Sequence, residues 1–433
     1  MKKEYTAFWF RRDLRLTDNY GLFQAIKAKK PVICFFIFDV EILNQLEFNN
    51  DARVNFIHEQ LININKKLKS IGSSLIVKYG NSTNIVEKLL KDHNITNIYT
   101  NTDYEPFAVK RDQEIQKILR QKNAELKSFK DHVIFEKNEI VKKDGLPYSI
   151  YTPYMKKWRE LYLAQSISEY AIDLKSENFA QLPYSEIPSL ESIGFKKSSI
   201  SVPNYDLSKT TLLYYNDRRN YPSMQATSLI GPHLRFGTLS IRQAVKKALK
   251  GHPQFLNELI WRDFFSQILW SFPHVEHQSF RIKYDEIKWR NNENEFKLWC
   301  EGKTGYPIVD AGMRELKQTG NMHNRIRMVV ASFLCKHLLI DWRWGEVWFA
   351  NHLLDYDMAS NNGNWQWAAG CGCDAAPYFR IFNPYEQQKK FDSKMEYIQK
   401  WVPELNTEDY PTPMVDHKFA RERALSTYKL ALQ

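Results

Sequence analysis

Between Tyr5 and Phe129, short β-branched or aromatic runs alternate with longer charged segments of helical period, and this alternation limits the fold more than any other feature. YTAFWF, VICFFIFD, SLIVKYG, NIYTN and ELKSF read as strands. ARVNFIHEQLININKKLKSIG, lying between two of them, carries apolar residues at the three- and four-residue spacing of an amphipathic helix. Near-continuously apolar strands separated by such helices require a parallel sheet covered on both faces. Residues 1–130 are therefore read as a doubly wound, Rossmann-like α/β domain. Folds of this kind bind ligands beyond the carboxyl ends of their strands, yet no GxGxxG follows the first strand, so a dinucleotide is not expected there.

From 131 to 202 the regularity fades into a polar stretch rich in Ser, Glu and Pro, read as a long connection with a little local helix. From 203 to 433 the period is helical almost throughout, as in LSIRQAVKKALKG, FLNELIWRDFFSQILWSF, PIVDAGMRELKQTG and HNRIRMVVASFLCKHLLI. The expected fold class is thus α/β plus all-α.

Within the helical part, the stretch from Gly302 to Asp392 is unusually dense in amides, arginines, aspartates and tryptophans. Seven of the twelve Trp lie between Trp289 and Trp367. A buried indole N–H or amide needs a partner, so a plain helical core uses such residues sparingly. The density points to a flat aromatic ligand.

Sixty-one Lys and Arg against fifty acids, a formal net charge of +11, make a polyanion a plausible partner. Five scattered cysteines, an odd number, read as reduced thiols in a cytoplasmic protein. The CGC pair lacks two further ligands at zinc spacing, so no metal is expected. No signal peptide or membrane-spanning run is apparent.

Several constellations could carry chemistry. In FLNELIWRDFF, Glu258, Trp261 and Arg262 fall within one helical turn and can share a face. Taken alone, the segment reads better as a helical N-terminal turn with a surface ion pair and a core Trp. In HNRIRM, Asn324 and Met328 are four apart while Arg325 and Arg327 flank them, a set suited to a flat, polar guest. GKTG is not a phosphate loop, because Lys297 stands where the pattern needs Gly. ATSLIGPHLRFGTLS is a better phosphate cradle, with Thr227 and Ser228 at the start of a helical region, though an ordinary helix cap has the same spacing. Asp355 and Asp357, two apart, could bind a metal, but no His cluster supports one, and ribose hydroxyls or arginines satisfy them as well; Asn361, Trp365 and Trp367 read as a ligand wall.

FWFRRDLRLTDN, DWR, MHNRIRM, NNGNWQWAAG, DAAPYFRIFNP and YPTPMVDHKFARERAL together resemble the cryptochrome/photolyase family over essentially the whole chain, and within it the class I cyclobutane pyrimidine dimer photolyases. The resemblance implies a light-driven DNA repair lyase that carries FAD, active as the reduced anion, in the helical domain. It implies that Tyr215, Thr227, Ser228, Leu229, Ile230 and Gly231 hold the phosphates and ribityl chain. Asp355, Tyr356 and Asp357 would lie along the flavin and ribose, with Asn361 facing flavin N5. Glu258, Trp261, Asn324, Arg325, Met328 and Trp367 match the dimer pocket. Arg219, Arg262 and Gln387 match DNA-contacting positions. Trp365, Trp342 and Trp289 match the tryptophans that pass electrons to oxidised flavin. Met328 distinguishes the chain from six-four photolyases, which place a His pair in this segment. A second, antenna chromophore is allowed in the α/β domain, its identity open, since NTDYEPFAVKRD lacks the Asn-Glu pair of folate-binding relatives. Damaged DNA is the expected partner of a monomer with no obligate protein partner. The rival expectation is a blue-light signalling cryptochrome that binds FAD without repair.

Overall fold

The computed structural model describes residues 3–165 and 167–433. Five strands, β1 (Tyr5–Phe10), β2 (Val32–Asp39), β3 (Leu75–Gly80), β4 (Ile95–Asn101) and β5 (Glu125–Phe129), pair in parallel in the order β3-β2-β1-β4-β5. Phe8 of β1 lies opposite Cys34 of β2 and Tyr99 of β4. The chain winds outward through β2 and β3, then returns across β1 to β4 and β5. The switch point therefore lies between β1 and β4. Helices α1 (Tyr20–Lys27), α2 (Ala52–Lys69), α3 (Ser82–Asp92) and α4 (Pro106–Arg120) make the crossovers. Alternate residues feed two cores: Phe8, Phe10, Cys34 and Phe36 enter one, Ala7, Trp9, Ile33 and Phe35 the other. Burial on both faces is why β1 and β2 read as unbroken apolar runs.

The chain divides into two compact units, each discontinuous in sequence. The first holds residues up to Glu139, Arg159–Tyr205 and Ile230–Lys247; the second holds Ile140–Trp158, Asp206–Leu229 and Ala248–Gln433. These bounds differ from the 1–130, 131–202 and 203–433 of the sequence reading. Much of the expected connection packs into the first unit, while α5 (Tyr151–Ala164) begins in the second. Residues 230–247 join the first unit through buried charge. Arg242 donates Nε to Asp18 at 2.9 and 3.1 Å and Nη2 to Asp131 at 2.6 Å. Arg15 reaches the carbonyl of Gly237 at 2.9 Å. A buried charge without a partner is costly, so these pairs hold the segment down.

The second unit is helical: α6 (Tyr215–Arg218), α8 (Pro253–Ser271), α9 (Pro307–Thr319), α10 (Asn324–Ser332), α11 (Trp342–His352), α12 (Met358–Ala369), α13 (Pro384–Phe391) and α14 (His417–Leu432) follow in order. Helix α7 (Ile241–Ala248) lies almost wholly in the first unit. Helix α10 runs into a π-helical stretch, Phe333–Leu338, which ends at Leu339 in the left-handed region with φ of 51°. Trp299, Trp342, Trp365, Tyr306 and Phe333 share one hydrophobic core. Gly345 lets α11 approach α12 closely: a Cβ there would lie 2.1 Å from Cη2 of Trp365 and 2.6 Å from Cδ2 of Leu334. Gly345→Ala is expected to displace the Trp365 indole and cost about 1–3 kcal/mol, measured by denaturant unfolding. A cost within error of zero would mean that the indole has room to move.

Lys336, within the π-helical stretch, is 1% exposed. Its Nζ donates to the carbonyl of Ala369 at 2.8 Å and lies 3.6 Å from the centre of the Tyr428 ring. Desolvation by burial brings its pKa down to about 7. Unfolded, the group holds its proton to about pH 10.4. Below pH 7 the folded chain therefore carries the full penalty of a buried cation. Between there and about pH 10.4 the unfolded chain binds more protons, so stability rises with pH. Lys336→Met is expected to raise the thermal midpoint, and more at pH 6 than at pH 9.5, because the Tyr428 hydroxyl still donates to Ala369 at 3.0 Å. An equal gain at both pH values would contradict the assignment.

Candidate functional site

Helix α8 carries the first wall. Its N-cap, His252, accepts from the N–H of Gln254, and Pro253 occupies the first turn, where a missing N–H costs nothing. Glu258 and Trp261 then stand three apart, on one face. The Trp261 ring stacks on Tyr151 of α5 with centroids 3.7 Å apart and planes 5° from parallel. Tyr151 is fixed in turn, its hydroxyl donating to the carbonyl of Asn257 at 2.9 Å and its N–H to Asp374 at 3.1 Å. Held on one face, the half-buried indole has its plane set. The Glu258 carboxylate accepts from Gln254 Nε2 at 2.7 Å and is ion-paired with Arg219. Arg262, the next residue on α8, is half-buried.

Helix α10 carries the second. Its N-cap His323 accepts from the N–H of Arg325 at 3.2 Å, and burial, then Arg327, Arg325 and Arg219, push the His323 pKa down to about 4. The ring is therefore neutral at physiological pH. Asn324 is exposed and Met328, one turn on, is half-buried. Arg325 donates to Asn220 at 2.7 Å and Arg327 to Asp355 at 3.0 Å. The second oxygen of Asp355 is buried without a partner, a sign of a polar guest such as a ribose hydroxyl.

Helix α12 supplies the third. Asp357 caps it, accepting from the N–H of Ser360 at 3.1 Å, and Tyr356 beside it is half-buried. Asn361 is buried and donates to the carbonyl of Glu346 at 3.1 Å. Burial pushes the Glu346 carboxyl up to about 7 against a hydrogen bond from Asn362. Trp367 is half-buried two residues beyond Trp365.

The segment Thr227–Gly231 crosses the division between the units. Leu229 has φ of 54° and Ile230 is right-handed. Alternation of hand makes successive N–H groups converge, the backbone nest that binds anions. Among the described residues, no acceptor is found for the N–H groups of Ser228 to Gly231. Tyr215 opens α6 with its ring edge-on to Phe255 at 5.0 Å, and burial, then Glu258, push its phenol pKa up. The nest by itself fits a phosphate, and within the second unit the orphaned Asp355 oxygen and buried Asn361 fit ribose hydroxyls and a polar ring edge, groups that FAD has.

Trp342 and Trp365 are almost fully buried on α11 and α12, and Trp289 packs against the same core. The ring neighbours of Trp365 are Phe349 at 4.9 Å and Trp299 at 6.2 Å; that of Trp289 is Tyr428 at 5.9 Å. Gln387 on α13 is half-buried, its side-chain oxygen unpartnered.

Four residues absent from the sequence reading belong here. Gln254, Tyr151 and Glu346 support Glu258, Trp261 and Asn361, and Arg380 is exposed and electrostatically coupled to Arg325. For Glu346 a signal existed, an acid one helical turn after Trp342 in a run that also holds Trp344, Trp348 and Phe349. For the stacking of Tyr151 no local pattern could serve. In the first unit a charged cleft opens beyond β1 and β4, lined by Arg11, Arg12, Asn101, Asp103 and His132. Its arginines are ion-paired, Arg11 to Asp112 at 2.6 Å and Arg12 to Glu105 at 2.8 Å.

Residues 6–171 match the family described as DNA photolyase, and residues 255–408 that described as FAD binding domain of DNA photolyase. The deoxyribodipyrimidine photo-lyase of Agrobacterium fabrum is 36% identical over 99% of this chain and 98% of its own length. A class III photolyase from Agrobacterium tumefaciens superposes with a TM-score of 0.86 at 33% identity, covering 100% of this chain and 98% of that one. An archaeal photolyase from Sulfolobus tokodaii, described as holding two FAD molecules, gives 0.85 at 34%, covering 99% and 100%. The likeness runs through both units from end to end, and the chain belongs to the photolyase/cryptochrome family.

Proposed function

We propose that this protein is a light-driven lyase that binds FAD and splits cyclobutane pyrimidine dimers in DNA. The observation that carries the reading is the flat indole of Trp261, locked on Tyr151, with the Glu258 carboxylate three residues before it on the same helix face. A plane and an acceptor at that spacing suit a base, and a dimer that stacks and pairs poorly leaves the duplex cheaply. Full-length likeness to deoxyribodipyrimidine photo-lyases supports repair over signalling. The class I assignment of the sequence reading is not adopted, since a class III photolyase is among the matching structures. Met328 supports cyclobutane over six-four chemistry and leaves the class open.

Within the second unit, Ser228 and Leu229 would hold a phosphate of FAD, Asp355 its ribose, and Asn361 the ring edge. Reduced FAD, when bound, supplies one electron to the dimer under blue light and takes it back, with no net redox change. The rest falls to this chain. Arg219, Arg325 and Arg380 bind the DNA backbone, Arg262 and Gln387 adding contacts. Glu258 accepts from the base N–H, while Trp261, Trp367, Asn324 and Met328 enclose the guest and exclude water. Asn361, an amide, has no acidic proton to give. The Sulfolobus tokodaii structure with two FAD molecules supports room for a second, light-harvesting chromophore. Among the described residues no helix is long and apolar enough to cross a membrane.

We further assign Trp365, Trp342 and Trp289 to light-driven reduction of oxidised FAD. Trp342→Phe is expected to slow that photoreduction at least tenfold while leaving repair by chemically reduced protein unchanged, as read by flavin absorbance and by dimer loss. Equal loss in both assays would contradict the role. The function itself is tested by illuminating the reduced protein with oligonucleotides bearing either a cyclobutane thymine dimer or a six-four photoproduct. Restoration of the first alone is expected, and restoration of neither with FAD bound would favour the signalling reading.

A further inference from the structure

Resting on the lesion-binding reading above, a second question is why Glu258 is engaged before any substrate arrives. Its carboxylate takes both the Arg219 guanidinium and, at 2.7 Å, Gln254 Nε2. Arg219 is thereby occupied too, although it belongs to a group that demands an anion. Arg219 and exposed Arg380 both stand close enough to Arg325 to depress its pKa, after desolvation. Among the described residues Glu258 is the one carboxylate paired with any of the three. The pair is partly solvated, the side chains being 18% and 31% accessible for Arg219 and Glu258. Such a pair is cheap to open. A phosphodiester offers Arg219 two oxygens and a full charge, a better partner than a shared carboxylate.

We propose that the Arg219–Glu258 ion pair is a latch: when Arg219 takes a backbone phosphate beside a flipped lesion, Glu258 is released to accept from the base edge against Trp261. On undamaged DNA no base enters the pocket, Glu258 has no new partner, and the latch stays closed. Lesion recognition then uses one phosphate contact more than non-specific binding. Gln254 stays with the carboxylate in both states and sets its reach along α8.

The test is equilibrium binding in the dark by the FAD-loaded protein to a single strand with one cyclobutane thymine dimer and to its undamaged counterpart, across a salt series. For the parent, the slope of log K against log salt is expected to be steeper on the lesion strand by about 0.7, one phosphate's worth. Glu258→Gln opens the latch, so the undamaged strand should steepen to meet the other and bind several-fold more tightly. Arg219→Gln should remove the difference from the opposite side, by flattening the lesion slope. Asp217→Asn, which removes an exposed carboxylate from α6 without touching the pair, should leave the difference intact. An undamaged slope unmoved by Glu258→Gln, or moved equally by Asp217→Asn, would overturn the latch. Retention of the flavin spectrum in each variant excludes misfolding as the cause. A parent that repairs dimers in light yet shows equal slopes overturns the latch alone, whereas a parent with no repair and no preference between strands brings down the lesion-binding reading first.

Discussion

The second unit depends on how helix α12 satisfies its buried amides. Asn362 and Gln366 donate to the carbonyl of Val275 at 2.8 and 3.1 Å, and Gln366 returns an acceptor to the N–H of Phe280 at 2.7 Å. An irregular stretch of chain is thus held by side chains where a helix or sheet would use backbone. Each bond is modest alone, but breaking one leaves a buried polar group unmet, which costs more than the bond gave. The same helix turns Trp365 into the core against Gly345 and Asn361 toward Glu346. The positions of Trp365 and Asn361 are therefore inherited from a polar network on the same helix.

Local pattern decides which parts of the molecule can be read from the sequence. The inner strands β1 and β2 follow from apolar runs because burial on both faces removes any need for alternation, whereas the edge strands β3 and β5 keep exposed charged residues. Glu258 with Trp261, and Asn324 with Met328, were legible as pairs because helical spacing is a local property. Tyr151 was not: its stacking partner lies 110 residues away, and no periodicity links α5 to α8. The transfer of residues 230–247 to the first unit was equally hidden, since Arg242 meets Asp18 and Asp131 only in three dimensions.

The two kinds of functional group differ in how they are prepared. At Ser228–Gly231 the backbone is set by the left-handed Leu229, a conformation that a branched-chain-sized residue adopts at a cost. Its N–H groups point together before any anion is present, so nothing need reorganise on binding. At Arg219 and Glu258 the opposite holds, and the charges are paired with each other until something better arrives. Fixed donors suit a resident cofactor, which binds once and stays.

A transient polymer poses a different problem, because most of the DNA that the protein meets carries no lesion. A surface of free arginines would bind all of it, and the formal charge of +11 already favours that outcome. Pairing one arginine internally lowers the affinity for every phosphate alike, and the cost is recovered only where a base can take the place of the carboxylate's lost partner. Discrimination then comes from what undamaged DNA cannot offer, as specificity usually requires. The rigid indole of Trp261 completes the condition, since a carboxylate released beside a mobile wall would as readily find water.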